Sequence, residues 1–186
     1  MGPAYWQNPV FFLLNTAFTL YMVVVMLRFL LRFGRADFFN PVNRFLFEAT
    51  EPVLRPLRTV IRPYRGIDFA ALLLLLVLQI AYYSAVLTIL KQPIPFVELP
   101  RWALADLTIL LLNVYLFSIL IEVVLSWINP GRYSPAQAVI YQLNAPVLNR
   151  IRSAMPAMGG LDFSPLIALV VIQVLKMFLQ PFTPWL

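Results

Sequence analysis

Two arginine–aspartate spacings stand out in this chain. Arg58 precedes Asp68 by ten residues, and Arg152 precedes Asp162 by ten. A glycine, Gly66 or Gly160, lies two positions before each aspartate, and an apolar run follows. An Asp so placed can accept hydrogen bonds from the first N–H groups of a helix and meet the positive end of its dipole. It can also pair with the arginine upstream. No second acid stands beside either aspartate to share acid–base work or hold an ion. The chain has no His and no Cys. A histidine-ligated haem, a histidine zinc site, a His general base and thiol chemistry are therefore excluded within it. No nucleophile–base pairing, carboxylate pair or metal-ligand spacing is present, so we expect no enzyme, cofactor or metal site.

The elements that carry these residues belong to a membrane. Of the 186 residues 61% are hydrophobic and 12% charged, against about 25% charged in soluble domains. Four windows, roughly 10–31, 67–90, 102–128 and 161–183, reach the length of about 20 residues that a helix needs to cross a bilayer. The alternation of a membrane β-barrel is absent. The sequence thus predicts an all-α membrane protein with four transmembrane helices. The first window lacks a preceding basic residue and is expected to be a retained span rather than a cleaved leader.

The net charge of +6 is unevenly placed. Segment 32–65 carries seven arginines and segment 129–160 three, so ten of the fourteen basic residues lie in two connections. By the positive-inside rule these connections are cytoplasmic and both termini lie outside. The basic balance then reports topology, not nucleic-acid binding.

A shift of 94 positions, the distance from Asp68 to Asp162, superposes much of the chain on itself. Asn40-Pro41 falls on Ser134-Pro135, Pro52-Val53-Leu54 on Pro146-Val147-Leu148, Arg58 on Arg152, Gly66 on Gly160 and Gln79 on Gln173. We read two parallel-duplicated units of helix, amphipathic segment and helix. Residues 1–90 form the first, 91–101 an external connection and 102–186 the second. The amphipathic segments are 32–65 and 129–160. Each is expected to open on an N-cap, Asn40 or Ser134, followed by Pro. Each is expected to divide at Pro52 or Pro146 into two short elements, with Pro56 shortening or kinking the first copy. Both would lie in the headgroup layer with arginines toward anionic lipid phosphate.

Inside the spans, Arg28 and Glu122 occupy matched positions with opposite charge, and an ion pair between them is expected. Asp106 and Lys176 are a second expected pair. Asn113, Gln79 and Gln173 are expected to bond between helices. Ala81 and Ala85 form one small-xxx-small contact that suits dimerisation. No glycine occurs in any of the four windows, and none has a central proline, which lowers the case for the broken helices of transporters.

The run Leu125-Ser-Trp-Ile-Asn-Pro, then Ser134-Pro135, Pro146-Val-Leu, Arg150-Ile-Arg and Met155-Pro-Ala-Met-Gly-Gly-Leu-Asp-Phe-Ser-Pro165 resembles the YggT family, also called YlmG-like. Phe38-Phe-Asn-Pro41, Glu51-Pro-Val-Leu-Arg-Pro-Leu-Arg58 and Gly66-Ile-Asp68 resemble the family's other copy, although Arg62-Pro63-Tyr64-Arg65 replaces its usual Pro-x-x-Gly. The resemblance implies an integral membrane protein of bacterial or plastid type, and with it a multi-pass location in a bacterial inner membrane. It implies links to osmotic-stress tolerance, to cell division or nucleoid organisation, or to membrane-complex biogenesis. One such link is haem attachment to a plastid b-type cytochrome, where a chain without His would serve only as an assembly helper. It brings no catalytic residue set. A non-enzymatic scaffold or assembly factor is the leading expectation, with a membrane-protein partner or a second copy. The alternative is an oligomeric ion or osmolyte channel or transport component using Arg28, Glu122, Asp106 and Lys176, and an intramembrane enzyme is the least expected.

Overall fold

The computed structural model describes residues 9–34, 39–64, 66–128, 134–155 and 162–184. They form six α-helices: α1 Pro9–Phe33, α2 Pro41–Val60, α3 Phe69–Ile89, α4 Leu99–Ile128, α5 Pro135–Ala154 and α6 Ser164–Leu179, the last continued by a 3-10 turn, Gln180–Phe182. Among the described residues there is no β-strand, only an isolated antiparallel bridge between Tyr64 and Ile67. Helices α1, α3, α4 and α6 are long and apolar enough to cross a membrane, and they fall on the four expected windows. Backbone groups within them bond internally, as lipid demands.

Helices α2 and α5 start where the caps place them. The Asn40 side chain accepts from the Val42 amide at 2.9 Å, and Pro41 takes the first helical position. Ser134 and Gln137 form a reciprocal capping box, again with Pro next. The starts of the two helices are tied together, because Asn40 Nδ2 donates to the Pro135 carbonyl at 2.7 Å.

The expected division at the prolines does not occur. Helix α2 runs unbroken through Pro52 and Pro56, and α5 through Pro146. A proline removes one N–H and crowds the carbonyl four residues earlier. Pro52 and Pro56 stand on the exposed face of α2, so the carbonyls they free can turn to solvent or headgroups. The buried stripe on the opposite face, Leu46, Thr50 and Leu54, keeps its four-residue spacing.

The core lies where these stripes meet the spans. Val25, Leu54, Leu75, Ile119 and Leu148 are at most 1% exposed and belong to one cluster. Burying a leucine side chain contributes about 1.5–3 kcal/mol. Leu54 of α2 and Leu148 of α5 carry the two amphipathic helices into this cluster. Helix α1 packs on α3, α3 on α4, and α4 on α6; α2 lies against α1 and α3, and α5 against α4 and α6. Helix α6 is the most outlying span, with Leu166, Val170, Val174, Met177 and Phe178 all exposed. That surface suits lipid.

Two glycines have geometric duties. Gly66 has φ +86°, in the left-handed region that glycine enters without penalty. It turns the chain between Tyr64 and Ile67, whose amides and carbonyls bond reciprocally at 3.0 and 3.1 Å. Gly34, just past α1, lies so near α5 that a Cβ would stand 3.2 Å from the Gln142 carbonyl oxygen.

Candidate functional site

The first charged cluster is built from α1, α2 and the turn into α3. Arg28 is 6% exposed. Its guanidinium donates to Thr50 Oγ1, to the Phe47 carbonyl at 3.3 Å and to Glu51 Oε2 at 2.5 Å, and it sits 4.4 Å from the Phe47 ring centroid. Arg58 bridges Glu51, at 3.1 Å, and Asp68. Arg32 reaches the same Asp68 oxygen at 3.2 Å. Asp68, 1% exposed, also accepts from the Ala71 amide at 3.4 Å, which makes it the cap of α3. The turn at Gly66 brings this carboxylate back over α2, so the expected cap and the expected Arg58 pair are the same group.

The second cluster joins α4, α5 and the start of α6. Glu122 Oε2 accepts from Asn144 Nδ2 at 2.7 Å, and Asn144 Oδ1 accepts from Ser118 at 2.6 Å. Arg152 pairs with Asp162 at 2.8 Å and approaches Glu122 at 3.9 Å. Asp162 accepts from the Ser164 amide at 2.9 Å. Burial pushes the Asp162 carboxyl up, but the Ser164 hydrogen bonds and the Arg152 guanidinium outweigh it and hold the group below its usual range. A cavity of about 410 Å³ opens beside this cluster, lined by Glu122, Tyr141, Gln142, Ala145 and Arg152.

Arg28 and Glu122 do not pair. Each is held within its own half, Arg28 by Thr50 and Glu51 and Glu122 by Asn144 and Arg152. An amphipathic helix lies against each span and offers a partner of the right polarity, so neither side chain must reach across the bundle. Asp106 and Lys176 do not pair either: the Tyr83 hydroxyl and Gln79 amide donate to Asp106 Oδ2. Gln79 is buried, but Gln173 is exposed on α6 and bonds to no other helix among the described residues. Pro52 stands on the outer surface of α2 and Pro146 is half-buried on α5. Gly160 lies outside the described residues, as do Arg35, Arg65 and Arg132.

Sequence reasoning missed Thr50, Glu51, Asn144 and Ser118. Their signal was present. Thr50 and Asn144 stand 22 residues after Arg28 and Glu122, as the bonds between them record. Among the described residues no group of three or more Asp or Glu could hold a metal. The arrangement fixes helices to one another.

The family model described as CCB3/YggT matches residues 7–90 and 101–183. An uncharacterised protein of Pseudomonas aeruginosa is 36% identical over 168 residues, covering 89% of this chain and 85% of the relative. The uncharacterised protein YggT of Escherichia coli strain K12 is 38% identical over 174 residues, covering 92% and 89%. The ycf19 protein of Cyanidium caldarium is 35% identical over 68 residues, which are 36% of this chain and 75% of the relative. No solved structure matches. Two matches to one family model, and relatives similar along most of their length, lead to one conclusion: the chain belongs to the CCB3/YggT family.

Proposed function

We propose that this protein is a non-enzymatic membrane scaffold or assembly factor whose working surface is the outer face of α2 and α5. The observation that carries this reading is the way the two helices are held. Each is tied to the spans by its own polar cluster, and the two are tied to each other through Asn40 and Pro135. The outer faces are left free. Arg55, Arg62 and Arg150 are exposed and take no ion-pair partner among the described residues, and Phe45, Val53 and Val60 are exposed beside them. Arg58 is 15% exposed and committed to Glu51 and Asp68, so contact with a partner falls to the other arginines.

In this reading the α2 and α5 end faces the cytoplasm, where anionic headgroups attract juxtamembrane arginine at about 1 kcal/mol each. The chain is a duplication of one span–platform–span unit. The separate matches at 7–90 and 101–183 support this, as does a relative that aligns over three quarters of its own length with 36% of this chain. Osmotic-stress tolerance, cell division and membrane-complex biogenesis are the processes such a scaffold would serve, and the identity of the partner selects among them.

The test is native-nanodisc purification with mass spectrometry, comparing wild type with an Arg55→Gln/Arg62→Gln/Arg150→Gln variant. A specific co-purifying membrane protein, lost in the folded triple variant, is the expected result. Homo-oligomers without a partner, together with ion flux in liposomes, would overturn the scaffold reading in favour of an ion or osmolyte pathway. The polar cavity around Asp106 is the observation that favours that second reading.

A further inference from the structure

A cavity of about 290 Å³ lies between α1, α3 and α4, in the half of the bundle away from α2 and α5. Its polar lining comes from Asn15, Thr19, Gln79, Tyr83, Asp106 and Asn113. Asp106 is the acid of this group. Its Oδ2 accepts from the Tyr83 hydroxyl and, at 3.4 Å, from Gln79 Nε2. Both donors are neutral. No Lys or Arg among the described residues pairs with it, and residues 1–8 and 185–186 contain neither. Every other carboxylate of the described residues has an arginine within 4 Å.

An ionisable side chain inside an apolar span is costly and as a rule marks a counter-charge or a bound species. Here a cavity stands in the place of the counter-charge. We propose that this cavity binds a small monovalent cation. Asp106 supplies the single charge, and Asn15, Thr19 and Asn113 offer neutral oxygens. A divalent ion would leave an uncompensated positive charge in apolar surroundings, and transition metals favour nitrogen or sulfur donors that the lining lacks. The volume exceeds that of a bare ion, since a water takes about 30 Å³. The occupant is therefore a partly hydrated alkali cation or a small organic ammonium. Tyr82 and Tyr83 both line the cavity, and aromatic lining is compatible with an organic cation. The site holds whether or not the cation crosses the membrane, and it is independent of the scaffold reading.

The experiment uses the full chain in zwitterionic nanodiscs. Thermal unfolding is followed while sodium, potassium or methylammonium chloride replaces N-methylglucamine chloride at constant ionic strength. A saturable rise in unfolding temperature with at least one probe is expected. Asp106→Asn, which keeps the shape and removes the charge, is expected to weaken the apparent affinity by about tenfold or more. Asn113→Ala is expected to weaken it less. A response confined to sodium or potassium identifies a metal ion, and one confined to methylammonium an organic cation. No saturable response in wild type, or an equal one in Asp106→Asn, overturns the proposal. Should Asp106→Asn fail to fold, an unchanged affinity in Asn113→Ala overturns it instead.

Discussion

At the α2 end three arginines, Arg28, Arg32 and Arg58, surround two acids, Glu51 and Asp68; at the α5 end one arginine, Arg152, faces two acids, Glu122 and Asp162. The positions correspond at the shift of 94: Arg28 with Glu122, Thr50 with Asn144, Arg58 with Arg152 and Asp68 with Asp162. The first cluster thus carries a net charge of +1 and the second −1, Arg32 and Glu51 having Ser126 and Ala145 at the shifted positions. The small polar residue on the amphipathic helix follows the sign. Thr50 offers its oxygen to Arg28 and sends its proton to the Leu46 carbonyl, at 2.7 Å. Asn144 turns its NH₂ to Glu122 and accepts from Ser118. A buried ion is tolerable when its partner presents the opposite polarity, and the small polar partner in each cluster presents it.

The clusters also differ in depth. Asp68 is 1% exposed and Asp162 44%. Where Glu51 closes the first cluster, Ala145 stands in the second, and the cavity of about 410 Å³ opens there. With Arg28 and Asp68 buried, while Glu51 and Arg32 stay 28% and 33% exposed, the first cluster is the more sealed joint and the second a half-open one. The expected experiments break or sharpen that contrast.

The largest effect is expected from the sealed side. Asp68→Asn strips the charge that faces Arg58 and Arg32, and Glu51→Ala leaves Arg28 and Arg58 without their shared carboxylate. Removing one partner of a buried pair costs about 3–5 kcal/mol. Unfolding in mixed detergent–SDS micelles should show a loss of that order for Asp68→Asn and a smaller one for Glu51→Ala, whose carboxylate is 28% exposed. A loss below about 1 kcal/mol would erase the distinction in depth.

Next in size is Gly66→Ala. A Cβ added there would meet nothing within 4 Å, so only the left-handed backbone resists the change. The expected cost is about 1–2 kcal/mol, read in the same assay, with Gly66→Asn costing less. Equal costs for Ala and Asn would show that φ is not the constraint.

Ala145→Glu places in the open cluster the acid that the sealed one has. With Arg152 already facing two acids, a third is expected to destabilise by roughly 1 kcal/mol, the scale of a partly screened like-charge contact. Stabilisation by this variant would mean that the missing acid, rather than the charge balance, keeps the second cluster open.

The smallest effect belongs to Asp162→Asn, at about 0.5–1 kcal/mol, because the Arg152 pair is exposed to solvent. It has a pH signature. The folded carboxyl is held below its usual range, so its contribution is present above the unfolded pKa and is lost as pH falls through the folded one. The stability difference between wild type and Asp162→Asn should therefore be constant near neutrality and shrink on acidification. A difference that grows with acid would contradict the assigned cause.

Length and composition were enough to mark the four spans, since crossing about 30 Å of hydrocarbon imposes a run that few other structures require. Local chemistry marked the Asn40 and Ser134 caps and the aspartates that pair with Arg58 and Arg152, because a cap and a ten-residue return through a turn are short-range matters. Helix continuity through Pro52, Pro56 and Pro146 was not legible in this way. Local propensity favours a break there, and only the packing of Leu46, Thr50 and Leu54 against the spans holds α2 together. The partners of Arg28 and Glu122 were equally a tertiary matter. Both ions were visible as charges in apolar runs, but which group meets them depends on where the amphipathic helices lie. The need for a partner was legible residue by residue, through the cost of burying charge. The packing of α2 and α5 decided that each half supplies its own.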